Sequence, residues 1–165
     1  HDALTGLSNR HVFTETMRRE LARCQRGGVS LAVILMDVDH FKNLNDTYGH
    51  AVGDLVLQRL AEVLRASIRP EDCACRWGGE EFCISLPNTK LPQAIQVAER
   101  IRETLASLKI NNSNHAEIPV PTVSMGIAVF PEEAVDIIKL IDLADQRLYV
   151  AKGRGRDQIE IASTS

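Results

Sequence analysis

The chain has 165 residues, a formal net charge of −3, 44% hydrophobic residues and 25% charged residues. That length suits one domain with a core that needs no disulfide or metal staple, and the composition excludes a disordered chain, a collagen-like repeat and a small disulfide scaffold. The charge is not that of a phosphate-backbone binder, so no nucleic-acid partner is expected, and the longest apolar run, Leu31 to Met36, is too short to span a bilayer, so no membrane contact is expected from this segment.

In chain order, Ser8 reads as the cap of a helix over about Asn9–Cys24, with Val12, Phe13, Met17 and Leu21 on its apolar side and Gly27-Gly28 as its stop. Leu31–Met36 is continuous and apolar, as expected of a central strand buried on both faces. His40–Gly49 reads as a short polar connection. A helix over about Ala51–Ile68 follows, with Val52, Val56, Leu60, Val63 and Leu64 inward. Cys73–Trp77 and Glu81–Leu86 read as strands joined at Gly78-Gly79, where glycine supplies the positive φ of a tight hairpin.

A further helix is expected from Asn88 or Thr89 to about Lys109, then a polar loop over Ile110–Glu117. Thr122–Phe130 alternates, with Val123, Met125, Ile127 and Val129 on one face. The last helix spans about Ala134–Lys152, and Gln158–Ile161 adds a final strand before a frayed tail, Ala162–Ser165. Hairpins mixed with helices predict an α+β fold: a mostly antiparallel five-stranded sheet flanked by helices.

The four cysteines, Cys24, Cys73, Cys75 and Cys83, lack paired CxxC spacing and read as reduced thiols packed as small hydrophobes in a cytoplasmic setting, no signal peptide being expected. The chain opens on His1 rather than Met, as expected of a piece of a longer protein.

Two acidic clusters mark places where the backbone turns. Asp37-Val38-Asp39 ends the buried strand, and Glu80-Glu81 follows the Gly-Gly turn. Carboxylates at adjacent strand ends can converge on a hard cation, and Mg²⁺ needs only one or two of them beside phosphate oxygens; taken singly, either cluster also reads as solvated acids. Phe41-Lys42 opens a segment whose N–H groups can form an anion-binding concavity. Lys152 and Arg156 can neutralise a triphosphate tail, or simply serve as cations at a helix end. Asn45 and Asp54 can read guanine, whose N1–H and N2–H₂ donors suit a carboxylate. Asp54 also fits as an acid in a helix's first turn.

At Arg76-Trp77-Gly78-Gly79-Glu80-Glu81-Phe82 the chain resembles the GGDEF family of diguanylate cyclases, in the variant with Glu at the third motif position. Asp2-Ala3-Leu4-Thr5-Gly6-Leu7-Ser8-Asn9-Arg10 resembles that family's entry signature, with Ala3 in place of proline. Asp37–Lys42, Asn45-Asp46, Gly49-His50, Gly53-Asp54, Val123–Ala128 and Ala151–Arg156 follow in family order.

The resemblance implies a fold like the palm of nucleotide cyclases and polymerases. It implies a homodimer in which two GTP molecules condense to cyclic di-GMP and two pyrophosphates. By the same resemblance Asp37, the Val38 carbonyl and Glu80 hold one or two Mg²⁺ or Mn²⁺. Asn45, Asp54 and Leu57 take the guanine. Phe41, Lys42, Lys152 and Arg156 take the β- and γ-phosphates, and Gly78 and Gly79 let the backbone approach the nucleotide. Glu81 and Arg76 belong to the same catalytic site.

Arg69-Pro70-Glu71-Asp72, five residues before Gly78, matches the family's inhibitory product site, with Arg100 as second arginine and Arg23 as a contributor from a neighbouring molecule. Alone, that RxxD also reads as a helix-end salt bridge. Asp157-Gln158 departs from the Asn-Arg often found in the family, removing one cation and adding one anion beside the phosphate cations. A receptor that binds cyclic di-GMP without catalysis would need none of the metal ligands, and an adenylate cyclase or polymerase palm would not suit Asn45 and Asp54.

Overall fold

The computed structural model describes residues 1–162; residues 163–165 of the expected frayed tail lie outside the described residues. The elements are α1 (Arg10–Gly27), β1 (Leu31–Val38), α2 (Phe41–Tyr48), α3 (His50–Ser67), β2 (Cys73–Arg76), β3 (Glu81–Pro87), α4 (Leu91–Ala106), β4 (Ile110–Asn111), β5 (Glu117–Ile118), β6 (Val123–Phe130), α5 (Ile137–Gly153) and β7 (Ile159–Glu160). The main sheet runs β2-β3-β1-β6-β7. Its pairs are antiparallel except β6–β7, which is parallel. The five-stranded, mostly antiparallel sheet is therefore as expected.

Helices cover both faces. On one, Leu57, Leu60 and Leu64 of α3 and Ala98, Ile101 and Leu105 of α4 meet Ile34 and Met36 of β1 and Met125 and Ile127 of β6. On the other, Phe13 and Met17 of α1 and Leu140, Ala144 and Leu148 of α5 meet Leu31, Val33 and Leu35 of β1. All eight β1 residues are buried because alternate side chains feed two cores. β6 is likewise buried on both sides, and Val123, Met125, Ile127 and Val129 do share one of them. At Gly126 an added Cβ would lie 2.1 Å from the Ala144 carbonyl oxygen, so a bare glycine sets how closely α5 seats on β6.

The boundaries differ from the sequence reading where side chains compete for caps. Asn9, not Ser8, caps α1, its side chain accepting from the Val12 N–H at 2.9 Å. Ser8 instead bridges to Cys75 on β2. The stripe Phe13, Met17, Leu21, Cys24 then faces the core, and Val12 falls on the flank, 45% exposed. Gly28 does end α1 in the left-handed region, with φ 67°.

α4 starts at Leu91 rather than Asn88 or Thr89, because the Thr89 N–H is held by the Ser30 carbonyl and Asn88 is left-handed at φ 50°. Asp136 caps α5 by accepting from Lys139 N–H, so the helix starts after Ala134.

Two further elements replace expected loops. His40–Gly49 is largely helix α2, since Phe41 and Leu44, one turn apart, pack with Val52, Val56, Ile110 and Ile118 in a third small cluster. The expected Ile110–Glu117 loop carries the small hairpin β4–β5, pinned by its buried ends Ile110 and Ile118.

Cys24, Cys75 and Cys83 pack as buried free thiols, and Cys73 is half-buried. Burial pushes the Cys75 thiol up to about 12, so it stays protonated and unreactive at neutral pH.

Candidate active site

The ends of β1 and the β2–β3 hairpin meet at one edge of the sheet. Asp37, the next-to-last residue of β1, lies opposite Glu81 in the β1–β3 register, and the Val38 N–H donates to the Glu80 carbonyl at 3.1 Å. Strand pairing thus sets Asp37 beside Glu81, and the Val38–Glu80 backbone bond brings the hairpin residue Glu80 to the same edge. The hairpin closes through the Trp77 and Gly78 N–H groups, both donating to the Glu81 carbonyl. Neither Gly78 nor Gly79 has positive φ, which corrects the expected reason for the glycine pair. A Cβ on Gly79 would meet nothing within 4 Å, so the pair leaves open room beside the hairpin rather than relieving strain within it.

Asp37, Val38, Asp39, His40, Phe41, Lys42, Asn43, Glu80, Lys152 and Arg156 line an open cavity of about 240 Å³. The Asp37 side chain is 7% exposed and accepts a hydrogen bond from Lys152 Nζ. Burial nonetheless holds its carboxyl above the usual range, against the pull of Lys152 and Arg156. Burial also raises Glu81, and the neighbouring Asp37 charge raises it further. Two crowded acids that resist ionising together form a site suited to added positive charge.

Among the described residues no three His, Cys, Asp or Glu side chains form a metal cage by themselves. Asp37 and Glu80 on one cavity wall instead suit Mg²⁺, which takes one or two carboxylates and keeps positions for water and phosphate.

The N-terminus of α2 also lines this cavity. His40 stands there in the left-handed region at φ 56°, and no side chain caps the helix. The first-turn N–H groups at Phe41, Lys42 and Asn43 therefore face the cavity as anion donors, in place of the concavity expected of a loop. His40 and Asn43 were not legible as lining residues, because the segment's polarity masks its Phe41–Leu44 helical contact.

One turn on, about 6 Å along the axis, Asn45 is half-buried, and its Oδ1 is buried without a hydrogen-bond partner. Asn45 leans on Gly53 of α3, and Asp54, next in sequence, is exposed beside it. Leu57 is 1% exposed and belongs to the core beneath, so it borders no open surface here.

Arg76 spends its donors on the hairpin rather than on the cavity. Nε and Nη2 donate to the Gly79 carbonyl at 3.1 and 2.8 Å, and Nη1 pairs with Asp2 at 3.4 Å. Against the upward push of burial, hydrogen bonds from Thr5 and the charge of Arg76 hold Asp2 below the usual carboxylate range. Arg10 lies 3.9 Å over the Trp77 ring. The entry turn is thus tied to the hairpin.

The remaining arginines lie elsewhere. Arg69 is bidentate on Asp72 and also donates to the Pro87 carbonyl and Thr89 Oγ1. Arg100 donates to the Ser67 carbonyl at 2.6 Å, so both arginines gather at the C-terminal end of α3. Arg23 pairs with Glu20 on α1 and, among the described contacts, joins neither.

A sequence model of the family described as "Diguanylate cyclase, GGDEF domain" matches residues 1–158. Diguanylate cyclase DosC of Escherichia coli is 37% identical over 164 residues, covering 99% of this chain and 35% of that protein. The chain therefore spans about a third of the length of such curated relatives. The crystal structure of the GGDEF domain of DgcB from Caulobacter crescentus in complex with c-di-GMP superposes with a TM-score of 0.91 at 33% identity, covering 99% of this chain and 93% of that one. The active GGEEF domain of a diguanylate cyclase from Vibrio cholerae gives a TM-score of 0.87 at 33% identity, covering 96% and 99%.

Proposed function

Because the chain belongs to the GGDEF family of diguanylate cyclase domains, we propose that it condenses two GTP molecules into cyclic di-GMP and two pyrophosphates. One cavity carries the reading: Asp37 and Glu80 converge there with Lys152, Arg156 and the bare N-terminus of α2, one helical turn from the orphan oxygen of Asn45. Cation site, triphosphate donors and a base reader then follow one another along a single nucleotide's length.

Asp37, the Val38 carbonyl and Glu80 would hold Mg²⁺ or Mn²⁺, which acidifies the attacking hydroxyl and stabilises departing pyrophosphate. The chain's own groups do the rest. Phe41 and Lys42 N–H groups, the Lys152 ammonium and the Arg156 guanidinium bind the β- and γ-phosphates and neutralise charge as it spreads toward the leaving group. Lys152, which donates to Asp37 here, is placed to turn its ammonium to phosphate. Asn45 Oδ1 and the Asp54 carboxylate accept the guanine N–H donors, while adenine would leave both unpaired. Gly78 and Gly79 leave the α-phosphate open to the 3′-hydroxyl of a nucleotide on a second domain, so catalysis requires a homodimer.

The domain is proposed as the catalytic unit of a longer, regulated protein, working in the cytoplasm. Purified protein incubated with GTP and Mg²⁺ at several protein concentrations tests the reading, with product identified by chromatography. Cyclic di-GMP formed at a rate rising more steeply than protein concentration is expected. No product at any concentration removes the assignment.

The Arg69, Asp72 and Arg100 group is proposed to bind the product as an inhibitor, arginine forks gripping phosphates and stacking on guanine, with Arg23 reaching in from a neighbouring copy. Added cyclic di-GMP should slow the wild-type enzyme, and Arg69→Ala should abolish that slowing while retaining turnover. Equal inhibition of both proteins would remove this site.

A further inference from the structure

The phosphate-binding Arg156 sits on backbone that its sequence does not favour. Gly155, Arg156 and Asp157 all have positive φ, at 112°, 64° and 49°, and two of the three carry side chains that resist the left-handed region. Something must hold this turn: the Arg156 N–H donates to the Ala151 carbonyl, Gln158 Nε2 donates to the Arg154 and Arg156 carbonyls, and two further groups grip Asp157. Asp39, 3% exposed, accepts from Thr122 Oγ1 and Ser124 Oγ at 2.7 Å and from the Asp157 N–H at 3.0 Å. Arg102, projecting from α4, donates through Nη2 to the Asp157 carbonyl at 2.6 Å and to its carboxylate at 2.9 Å, while Nη1 pairs with Glu99. Asp157 is gripped at its N–H, its carbonyl and its side chain. The substitution of an anion beside the phosphate cations thus has a local partner in Arg102.

We infer that Asp39 and Arg102 are positioning residues: they clamp Asp157 so that Arg156, one residue earlier, is held over the cavity that receives the triphosphate. This rests on the GTP-binding reading above. The two acids at the end of β1 then divide the work. Asp37 faces the cavity, and Asp39, two residues on, turns to β6 and the tail. A clamp acting only through Arg156 affects ligands that carry β- and γ-phosphates and spares guanosine. Its loss disappears once Arg156 is gone.

The test measures the affinity of the full chain for a non-hydrolysable GTP analogue with Mg²⁺, and for guanosine, by calorimetry. The proteins are wild type, Arg102→Ala, Asp157→Ala, Arg156→Ala and the double variant Arg102→Ala/Arg156→Ala. If release leaves the turn competent about a fifth of the time, Arg102→Ala weakens the analogue about fivefold. Asp157→Ala, which keeps the carbonyl, weakens it less. Both leave guanosine binding unchanged, and the double variant matches Arg156→Ala alone. Asp157 is exposed, so its variant folds even if removal of Arg102 disturbs α4. Equal loss for analogue and guanosine, or a full Arg102 effect in the Arg156→Ala background, overturns the clamp while GTP binding stands. A wild-type protein that does not bind the analogue overturns the GTP reading and the clamp with it.

Discussion

Replacing Glu80 or Asp37 by alanine is expected to lower cyclic di-GMP formation from GTP by about a thousandfold or more while the protein stays folded. Asp37 is the next-to-last residue of β1 and Glu80 immediately precedes β3, and both line one cavity. Their removal takes away the only carboxylates placed to hold a cation beside the α2 N-terminus among the described lining residues apart from Asp39, and Asp39 is saturated by three donors from β6 and the tail.

The fold survives for a reason visible in the electrostatics of Asp37. Burial raises its pKa above the unfolded value of 3.8, so the folded state holds that proton more tightly. Stability tied to this group is full below the unfolded pKa and is lost as pH rises through the folded pKa. At neutral pH the ionised carboxylate is therefore a cost to the fold, set against its hydrogen bond from Lys152, and alanine at position 37 is expected to leave the protein folded. Circular dichroism melts run beside the chromatographic assay separate the two effects. Turnover within tenfold of wild type in either folded variant rules out the proposed cation site.

How much of this was legible in the sequence depends on which force decides each element. The β1 run from Leu31 and the alternation of β6 announce themselves because burial alone fixes them, and the acids at the end of β1 follow directly. The helix α2 does not, since only Phe41 and Leu44 among eight residues are apolar contacts and their partners Ile110 and Ile118 lie far away in sequence. Missing it hides the uncapped helix end beside the cavity and the place of His40 as its left-handed lead-in. The Gly78-Gly79 pair is legible as a turn, but the positive φ expected of it is absent, because sequence does not show which glycines take left-handed backbone. Asp157 illustrates the same limit: next to Arg156 it reads as an added negative charge, and only the fold supplies Arg102 from 55 residues away.

The second large effect is expected at a residue with no functional group. An alanine Cβ at Gly53 would fall 1.8 Å from Asn45 Oδ1 and 2.9 Å from its Cγ, with Phe41 Cζ at 3.2 Å. Because Gly53 is helical and its φ is negative, the backbone accepts alanine, and alanine favours the helix interior over glycine by about 1 kcal/mol. The closest clash is with the Asn45 amide, which must swing away at full cost to recognition, while the Phe41 ring gives by a few tenths of an ångström.

Gly53→Ala should therefore leave the protein folded while the preference for GTP over ATP, as a ratio of kcat/KM values, falls by about a hundredfold. Asn45→Ala should lose a similar amount, and the double variant should lose little more, since both act by removing one acceptor from the base. A Gly53→Ala protein with its GTP preference intact would mean that the orphan oxygen of Asn45 faces something other than the base.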